Sequence, residues 1–439
     1  MNFEHEGATR VAHGNCNMGC RALRFLVTRW LAPLVMLLAA GTVQAGQRTP
    51  YLPANDNIVL QRVPPSTDPR VRHFEQLRND LKQHPQDADK AVALAHAYID
   101  YGRSTGDARF LGRAMAVIEP WMLQPAPPIP VLLVHATIQQ SRHFFQAARE
   151  ELAQLLKRDP DNAQAWLTLA TVAMVQGDVV LANRACVHLA NSGSDFMGMV
   201  CSASLRSITG HAEQAYALLS LVEDPGPQAP ASIKAWIEGL LADTAARMGK
   251  TAAADTHFKN ALQWTPGDNF LLADYGDFLL DQARAQEVVD LLGSDTQSDT
   301  SFLRLVYAET VLGLPRAKAD AAEMSARFQS MDQRGSRVYE REKAGFVLHV
   351  QHDPRRALEL ARQNWTVQRA PQDARIYLEA ALAAHDPAAA KPVLEFIART
   401  HLSDVTIDPL VAQAQAAQTA EAPGAIPTPT SPTPVSGDR

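Results

Sequence analysis

The stretch FKNALQWTPGD, residues 258–268, decides the fold, because it has the form of a helix that stops at a proline. The upstream stretch LAQLLKRDPDN, residues 152–162, ends in the same way. Proline lacks a backbone N–H and its ring clashes with the preceding turn, so it cannot continue a helix. An aspartate or asparagine shortly after the proline can cap the helix that follows. Two copies of one ending indicate an internal repeat.

The prolines of these stretches recur with a nearly constant period. Pro160 and Pro266 are 106 residues apart, and Pro266 and Pro371 are 105 residues apart. Each separation equals three periods of about 34 residues plus a small loop insertion. Before Pro266, Ala254 and Phe258 place a small residue and then a large one on one helix. This pattern predicts stacked pairs of antiparallel helices.

The small and large residues of the repeat have different packing roles. Alanine lets two antiparallel helices approach closely, and the large residue fills the space towards the next repeat. A single pair of helices cannot bury its own apolar face, so neighbouring pairs stack into a solenoid. Alanine-rich stretches with few β-branched residues also favour helix. The expected fold class is therefore all-α.

The repeat resembles that of the tetratricopeptide repeat (TPR) superfamily. Ala254, Phe258 and Pro266 match its Ala-x3-Phe…Pro signature, and Trp166-x2-Leu169 matches the start of its first helix. The resemblance implies a right-handed α-solenoid of about eight to nine TPR-like helix pairs. The clearest copies span 129–162, 163–195 and 235–268, and weaker copies fit at 78–120, 196–229, 269–302, 303–335, 338–370 and 371–402. The chain also resembles exported TPR proteins of proteobacteria, a likeness that carries no activity.

Residues 1–45 have the form of a secretory signal peptide. A basic stretch precedes the apolar run WLAPLVMLLAAGTV, and Val43-Gln44-Ala45 predicts cleavage after Ala45. Met18 is an alternative start that gives a leader of ordinary length. The apolar run is shorter than the roughly 20 residues of a membrane span, although an uncleaved anchor stays an alternative. We expect an exported protein, periplasmic or secreted, with no membrane span in the mature chain.

The segments on either side of the repeats differ from them in composition. Residues 46–71 contain several prolines and little helical period, so we expect an extended segment, with disorder as the alternative. The solenoid is predicted to span 72–410. Residues 411–439 include the stretch EAPGAIPTPTSPTPVSGDR, whose composition cannot form a core. We predict that 411–439 is a disordered tail.

Cys186 and Cys201 are the two cysteines that remain after the predicted cleavage. An even pair in an exported chain is a candidate for a disulfide. Cys186 lies seven residues before Gly193 and Cys201 lies eight residues after it, so the two face each other across an antiparallel hairpin. That geometry suits a disulfide, with two buried free cysteines as the alternative.

The sequence lacks the motifs that carry catalysis, metal binding or phosphate binding. It contains no Gly-x-Ser-x-Gly, no His-Glu-x-x-His and no phosphate-binding glycine-rich loop. His349 and His352 have no third metal ligand nearby, and the run YEREK, with Glu340 and Glu342, is interpreted as a solvated helix surface. A net charge of −6 argues against a nucleic-acid binder. We therefore predict no enzyme activity, no metal and no cofactor.

The resemblance to TPR proteins also implies where a partner would bind. Peptide-binding members use a concave groove that is lined by the first helix of each repeat. The matching positions here run from neutral and apolar to acidic. They are Leu133, Thr137, Gln140, Leu167, Thr171, Met174, Val200, Ser204, Ser207, Trp236, Asp243, Arg247, Phe270, Asp277 and Asp281. The Lys and Asn pattern with which some members hold a C-terminal carboxylate is missing, so a carboxylate clamp is not expected.

Three functions are compatible with these features. The first is a non-catalytic scaffold or adaptor of the cell envelope that binds a protein or peptide in its concave face. The second is a structural spacer or oligomerisation element with no groove ligand. The third is an enzyme with a cryptic site in GDARFLGRAMAVIEPW, residues 106–121. Asp107, Arg109 and Trp121 in that stretch are more simply explained by capping and packing, so we favour the first function.

Overall fold

The computed structural model describes residues 53, 55, 57–59, 67–293 and 297–421. The predicted signal peptide at 1–45 and residues 422–439 of the predicted tail lie outside the described residues. The chain divides into two compact units, Met1–Pro65 and Ser66–Arg439. In the first unit the backbone turns at Asn55, whose carbonyl accepts a hydrogen bond from the Ile58 N–H at 3.4 Å.

Twenty α-helices form the described part of the second unit, which contains no β-strand. They are α1 Pro69–Gln83, α2 Ala88–Thr105, α3 Arg109–Met122, α4 Ile129–Ser141, α5 Phe145–Arg158, α6 Ala163–Val175, α7 Val179–Asn191, α8 Asp195–Ser207, α9 Ala212–Ser220, α10 Ala231–Arg247, α11 Thr251–Trp264, α12 Asn269–Asp281, α13 Ala285–Leu292, α14 Asp299–Leu312, α15 Ala317–Gln333, α16 Glu340–His349, α17 Pro354–Trp365, α18 Pro371–Ala383, α19 Lys391–Thr400 and α20 Asp408–Glu421. None of them is both long and apolar enough to cross a membrane. The all-α prediction is confirmed.

The helices from α2 to α19 form nine consecutive pairs within the described chain, with α1 before them and α20 after them. In the pairs from α2–α3 to α16–α17 the two helices pack directly on each other, and in the last pair the short helical turn Pro387–Ala390 connects α18 to α19. Successive pairs are also in contact. This arrangement confirms the predicted solenoid and agrees with the upper end of the predicted number of pairs.

Each pair reverses direction through one residue with positive φ. These nine residues are Gly106, His143, Gly177, Gly210, Gly249, Ala283, Gly313, His352 and His385. A helix that ends in the left-handed region can return an N–H to a carbonyl of its last turn, as in the Schellman motif. In the α6–α7 turn, the Asp178 N–H donates to the Ala173 carbonyl at 2.8 Å. The same backbone device therefore sets the geometry of every pair.

The stretch 258–268 has the structural roles that its sequence predicts. Phe258 is buried and stacks on Tyr275 of the next pair, with 5.2 Å between the ring centroids. Helix α11 ends just before Pro266, at Trp264. The Asp268 carboxylate then caps α12, because it accepts hydrogen bonds from the backbone N–H groups of Phe270 at 3.0 Å and Leu271 at 3.2 Å.

Cys186 on α7 and Cys201 on α8 form a disulfide, which confirms the predicted pairing. Their Cα atoms are 5.4 Å apart, and both side chains are buried in the core between the two helices. The bond joins the second helix of one pair to the first helix of the next. It therefore covalently fixes one interface between consecutive repeats.

The end of the solenoid packs against the turns of its middle pairs. This part of the chain, residues 366–405, is called here the closing segment. The Arg369 N–H donates to the Val175 carbonyl at 2.7 Å, and the Val405 N–H donates to the Arg247 carbonyl at 3.1 Å. Between these two points Phe396 lies directly against Gly177. The solenoid thus has contacts between repeats that are far apart in sequence.

Two predicted boundaries of the solenoid are wrong. Helix α1 begins at Pro69 and not near residue 72, because the Asp68 side chain caps it and proline suits the first helical position. Residues 411–421, predicted as part of the disordered tail, belong to helix α20. Ala414 is completely buried in the core of the last repeats, and Val411 packs on the same core. The alanine-rich sequence of α20 therefore completes the solenoid.

The disulfide supports a prediction about stability. It closes a loop of 15 residues, for which the chain-entropy model gives about 3 kcal/mol of stabilisation. We expect a reductant to lower the midpoint of urea unfolding of the wild-type protein, because the unfolded chain gains entropy. The double variant Cys186→Ser, Cys201→Ser should unfold at the lower midpoint with or without reductant. An equal response of both proteins to the reductant would contradict the assignment.

Gly177 and Gly193 test the packing of the closing segment. Both have positive φ, +71° and +81°, so alanine is strained at either position by about 1–2 kcal/mol. A Cβ at Gly177 would lie 2.6 Å from Cε2 of Phe396, whereas nothing lies within 4 Å of one at Gly193. We expect Gly177→Ala to lower the free energy of unfolding by more than Gly193→Ala does, measured by urea denaturation. Equal losses would show that Phe396 does not press on this turn.

Candidate partner-binding site

The first helices of the nine pairs form one continuous layer. Helices α2, α4, α6, α8, α10, α12, α14, α16 and α18 contact one another in succession. In a stack of helix pairs, the layer whose members are in closest contact lies on the inner, concave side. The groove residues predicted from the sequence all lie on these first helices, so the layer is the surface on which to look for a site.

Most of the predicted neutral groove residues are occupied by contacts within the solenoid. The hydroxyls of Thr137, Thr171 and Ser204 each donate to the carbonyl four residues earlier, at 2.9, 3.1 and 2.9 Å. The apolar members are partly buried against the hydrophobic core between repeats; they are Leu133, Leu167, Met174 and Trp236. Met174 also faces Phe396 of the closing segment. These positions stabilise the repeats and leave little surface for a partner.

Three predicted groove residues are not at the surface. Ser207 is only 4 % exposed, and its hydroxyl accepts a hydrogen bond from the Thr244 hydroxyl at 3.3 Å. Val200 is completely buried, because it points into the core between α8, α9 and α10. Arg247 is only 7 % exposed. Its guanidinium pairs with Asp243 and, at 3.8 Å, with Asp404 of the closing segment. None of the three residues can contact a partner in this arrangement, and the prediction for all three is corrected.

Helix α12 carries an exposed stripe that joins one aromatic residue to three carboxylates. Phe270, Asp274, Asp277 and Asp281 follow one another at spacings of four, three and four residues, so they share one face of the helix. Phe270 is 48 % exposed, and Arg103 of α2 lies over its ring at 5.5 Å. Asp274 is also exposed to solvent. We call these four residues the α12 stripe; all but Asp274 were predicted from the sequence.

Arginines of the later first helices neutralise part of the α12 stripe. Arg304 of α14 binds both oxygens of Asp277, at 2.9 and 2.6 Å. Arg375 of α18 binds both oxygens of Asp281, at 2.7 Å each. Bidentate pairs of this kind are the strongest that arginine forms with carboxylates. They hold α12, α14 and α18 together around the inner surface.

Asp274 lies one helical turn before the paired Asp277 and has no ion pair of its own in the part of the chain that the structure describes. Burial is the largest cause that raises the pKa of Asp274, to about 7, and the neighbouring carboxylates Asp243 and Asp277 raise it as well. Arg304 and Arg341 lower it, but by less. Because the side chain keeps contact with solvent, water screens these charges and limits the energy involved. The inner surface at α10 and α12 therefore has surplus negative charge near neutral pH.

The run YEREK, 339–343, is not the solvated surface that its composition predicts. Arg341 and Glu342 point towards the inner surface and pair with each other at 2.6 Å. Arg341 also lies 3.6 Å from Asp373 of α18, which is almost completely buried. The sequence of a short charged helix does not indicate which other helices will cover it. The interpretation of Glu342 as solvent-exposed is therefore wrong.

The N-terminal stretch considered for catalysis has the contacts of a capping and packing segment. The Asp107 carboxylate accepts a hydrogen bond from the Arg109 backbone N–H at 3.0 Å and pairs with the Arg109 guanidinium at 2.6 Å. Trp121 is buried in the core of the first pairs. These contacts agree with the structural roles that the sequence analysis assigned to the three residues.

Sequence reasoning missed two sets of polar residues. Asp274 could have been found from its spacing of four residues from Phe270, which puts it on the predicted groove face. Glu223, Glu238 and His257 meet between α9, α10 and α11. Their positions, separated by 15 and 19 residues, match no ligand motif, so only the packing of three helices reveals them.

The pKa of Asp274 predicts how stability depends on pH. The folded state holds the proton more tightly than the unfolded chain, in which the pKa is close to 3.8. Stability from this group is therefore full below pH 4 and is lost as pH rises through 7. We expect Asp274→Asn to raise the thermal midpoint at pH 8 and to change it little at pH 4. The exposed control Asp161→Asn should show no such pH dependence; a matching trend in the control would refute the assignment.

Comparison with known proteins gives a likeness in repeat architecture and low sequence identity. Neither a protein-family model nor a curated protein matches the sequence. Among solved structures, the chain is similar to the Cut9–Hcn1 hetero-tetramer of the APC/C, with 13 % identity, a TM-score of 0.39 and coverage of 78 % of this chain and 58 % of that one. A tetratricopeptide repeat protein from Parabacteroides merdae has 12 % identity and a TM-score of 0.33, over 70 % of this chain and 99 % of that one.

Yeast Tom70 has 9 % identity and a TM-score of 0.37, over 80 % of this chain and 86 % of that one. The chain spans little more than half the length of the Cut9 chain that it matches. TM-scores this low add no detail about the site. The chain resembles the TPR superfamily in fold, as its repeat period and its nine helix pairs indicate.

Proposed function

We propose that this protein is a non-catalytic scaffold that binds a protein or peptide on the inner surface formed by α10 and α12. The observation that carries the proposal is the surplus negative charge of the α12 stripe. Asp277 and Asp281 have arginine partners inside the solenoid, whereas Asp274 is exposed and has none among the described residues. Burial and like charges both raise the pKa of Asp274, and a carboxylate in such surroundings is stabilised when a cation binds beside it.

The chemistry of this surface favours a basic segment as the partner. A lysine or arginine side chain could pair with Asp274 and would also reduce the repulsion from Asp243 and Asp277. Phe270, one helical turn away and half exposed, offers an aromatic surface to an apolar residue of the same segment. Affinity at protein interfaces comes from a few such anchors, while complementary charge sets specificity and the rate of association.

The cell envelope is the proposed location. The predicted signal peptide at 1–45 would direct the chain to export, and the Cys186–Cys201 disulfide suits an oxidising compartment. Disulfides persist outside the cytosol because reducing systems do not act there. The two features are independent, since one lies in the leader and the other in the solenoid core.

A structural spacer is the second candidate function, and the ion pairs of the inner surface favour it. Arg304 and Arg375 already occupy Asp277 and Asp281, and the closing segment covers Arg247 and Met174. An inner surface filled by its own side chains can hold the solenoid in a fixed curvature without any ligand. In that case the α12 stripe would bind no peptide.

A binding titration separates the two functions. The probe is a fluorescent peptide of alternating lysine and alanine residues, added to the mature protein at low salt, with anisotropy as the signal. For the scaffold, we expect binding that is tighter at pH 8 than at pH 6, because Asp274 becomes charged over that range. Asp274→Asn should weaken binding about 5-fold at pH 8, the effect of roughly 1 kcal/mol for one charge near a protein surface.

Asp161→Asn, which removes an exposed acid in the loop before α6, is the matched control and should bind as the wild-type protein does. Equal affinities of the wild-type protein and Asp274→Asn at pH 8 would exclude the α12 stripe as the site. No binding at all would favour the spacer.

A further inference from the structure

Three side chains of the kind that bind metal ions meet where α9, α10 and α11 pack together. Glu223 lies in the loop after α9, Glu238 is on α10 and His257 is on α11. One ligand atom from each lies within 4.8 Å of the other two. Nδ1 of His257 is 2.7 Å from Oε2 of Glu238 and 4.0 Å from Oε1 of Glu223. The three atoms thus surround one small volume.

The atoms that point away from this volume already have partners. Nε2 of His257 is 2.9 Å from the Tyr216 hydroxyl, which can accept a hydrogen bond from the Nε2–H when Nδ1 binds a metal. The other oxygen of Glu238 accepts a hydrogen bond from the Asn260 amide at 3.3 Å. Histidine ligands of metals almost always donate their second N–H to such an outer partner, which fixes the ring and its tautomer. Tyr216 and Asn260 are in the right places for that role.

Burial and charge also favour a cation between these residues. Glu238 and His257 are each 7 % exposed, so both are nearly removed from water. Two carboxylates share the site with one imidazole, and the nearby cation Lys250 lies over the Tyr216 ring at 5.2 Å. Buried negative charge is costly unless it is paired or coordinates a metal.

We propose that Glu223, Glu238 and His257 bind a divalent first-row transition-metal ion, with Zn²⁺ as the probe. One imidazole nitrogen and two carboxylate oxygens form a ligand set that suits such ions. Bonds of about 2.1 Å in a tetrahedral site put ligand atoms about 3.4 Å apart. The Nδ1–Oε2 distance of 2.7 Å would open slightly, and the Nδ1–Oε1 distance of 4.0 Å would close slightly.

Glu223 can make the larger adjustment, because its side chain is 43 % exposed and lies in the loop between two helix pairs. Without an ion, the hydrogen bond between His257 and Glu238 keeps the two buried ligands in position. A bound ion would join three parts of the chain, which are the loop after α9, helix α10 and helix α11. Solvent can reach that point from the side of Glu223, which gives the ion an entry path and a position for a water ligand.

The test uses the mature protein, freed of affinity tags and treated with a chelator before dialysis. ZnCl₂ is titrated into the wild-type protein and into Glu223→Gln, with calorimetry for affinity and the thermal midpoint for stability. We expect one Zn²⁺ per chain and a higher thermal midpoint for the wild-type protein. Glu223→Gln should bind at least 10-fold more weakly, since it replaces an anionic ligand by a neutral one.

Glu213→Gln, which removes an exposed carboxylate on α9, is the control for general loss of charge and should bind as the wild-type protein does. X-ray absorption of the Zn²⁺ complex should show nitrogen and oxygen ligands with the signature of one imidazole. A wild-type protein that shows no Zn²⁺-dependent thermal shift would overturn the proposal. So would equal Zn²⁺ affinities of the wild-type protein and Glu223→Gln.

Discussion

The tight reversal inside each helix pair is the constraint on which the rest of the structure depends. Every pair turns through one left-handed residue, so the second helix returns along the first. Because this reversal recurs in all nine pairs, the first helices come to lie side by side in one layer. That layer aligns Asp243 of α10 with the α12 stripe and brings Arg304 within reach of Asp277. The backbone geometry thus determines where the inner surface lies, and the exposed side chains of the first helices determine its charge.

The features predicted correctly from the sequence are those set by residues close along the chain. Pro266 and Asp268 act on the helix ends next to them, and Phe258 packs into the adjoining pair. Cys186 and Cys201 are joined because a short hairpin brings them together. In each case the partner lies within about one repeat, so the period of the sequence is enough to place it. The number of pairs follows from the same local signals.

The features missed by the sequence analysis depend on how the helices pack in three dimensions. Arg247 is buried because Asp404 and Val405, several repeats later in the chain, return to it. Arg341 faces inwards because Asp373 of the next pair is opposite. The residues next to Arg247 and Arg341 in the sequence do not indicate these contacts. The cluster around His257 is similar, since Glu223 and Glu238 come from two other elements. A repeat pattern predicts where the helices lie, and it does not predict which polar side chains meet between them.

The closing segment has a consequence for the order in which the chain folds. In an open solenoid each pair contacts only its neighbours, and folding can spread from any pair. Here the backbone at Val175 and Arg247 is paired by Arg369 and Val405, which are synthesised only after eight or more pairs are complete. Contacts between such distant residues form slowly because a long loop must close first. We expect the nascent protein to pass through a stage in which its middle turns are uncovered, so its exposure to aggregation or proteolysis is greatest just before the C-terminus emerges.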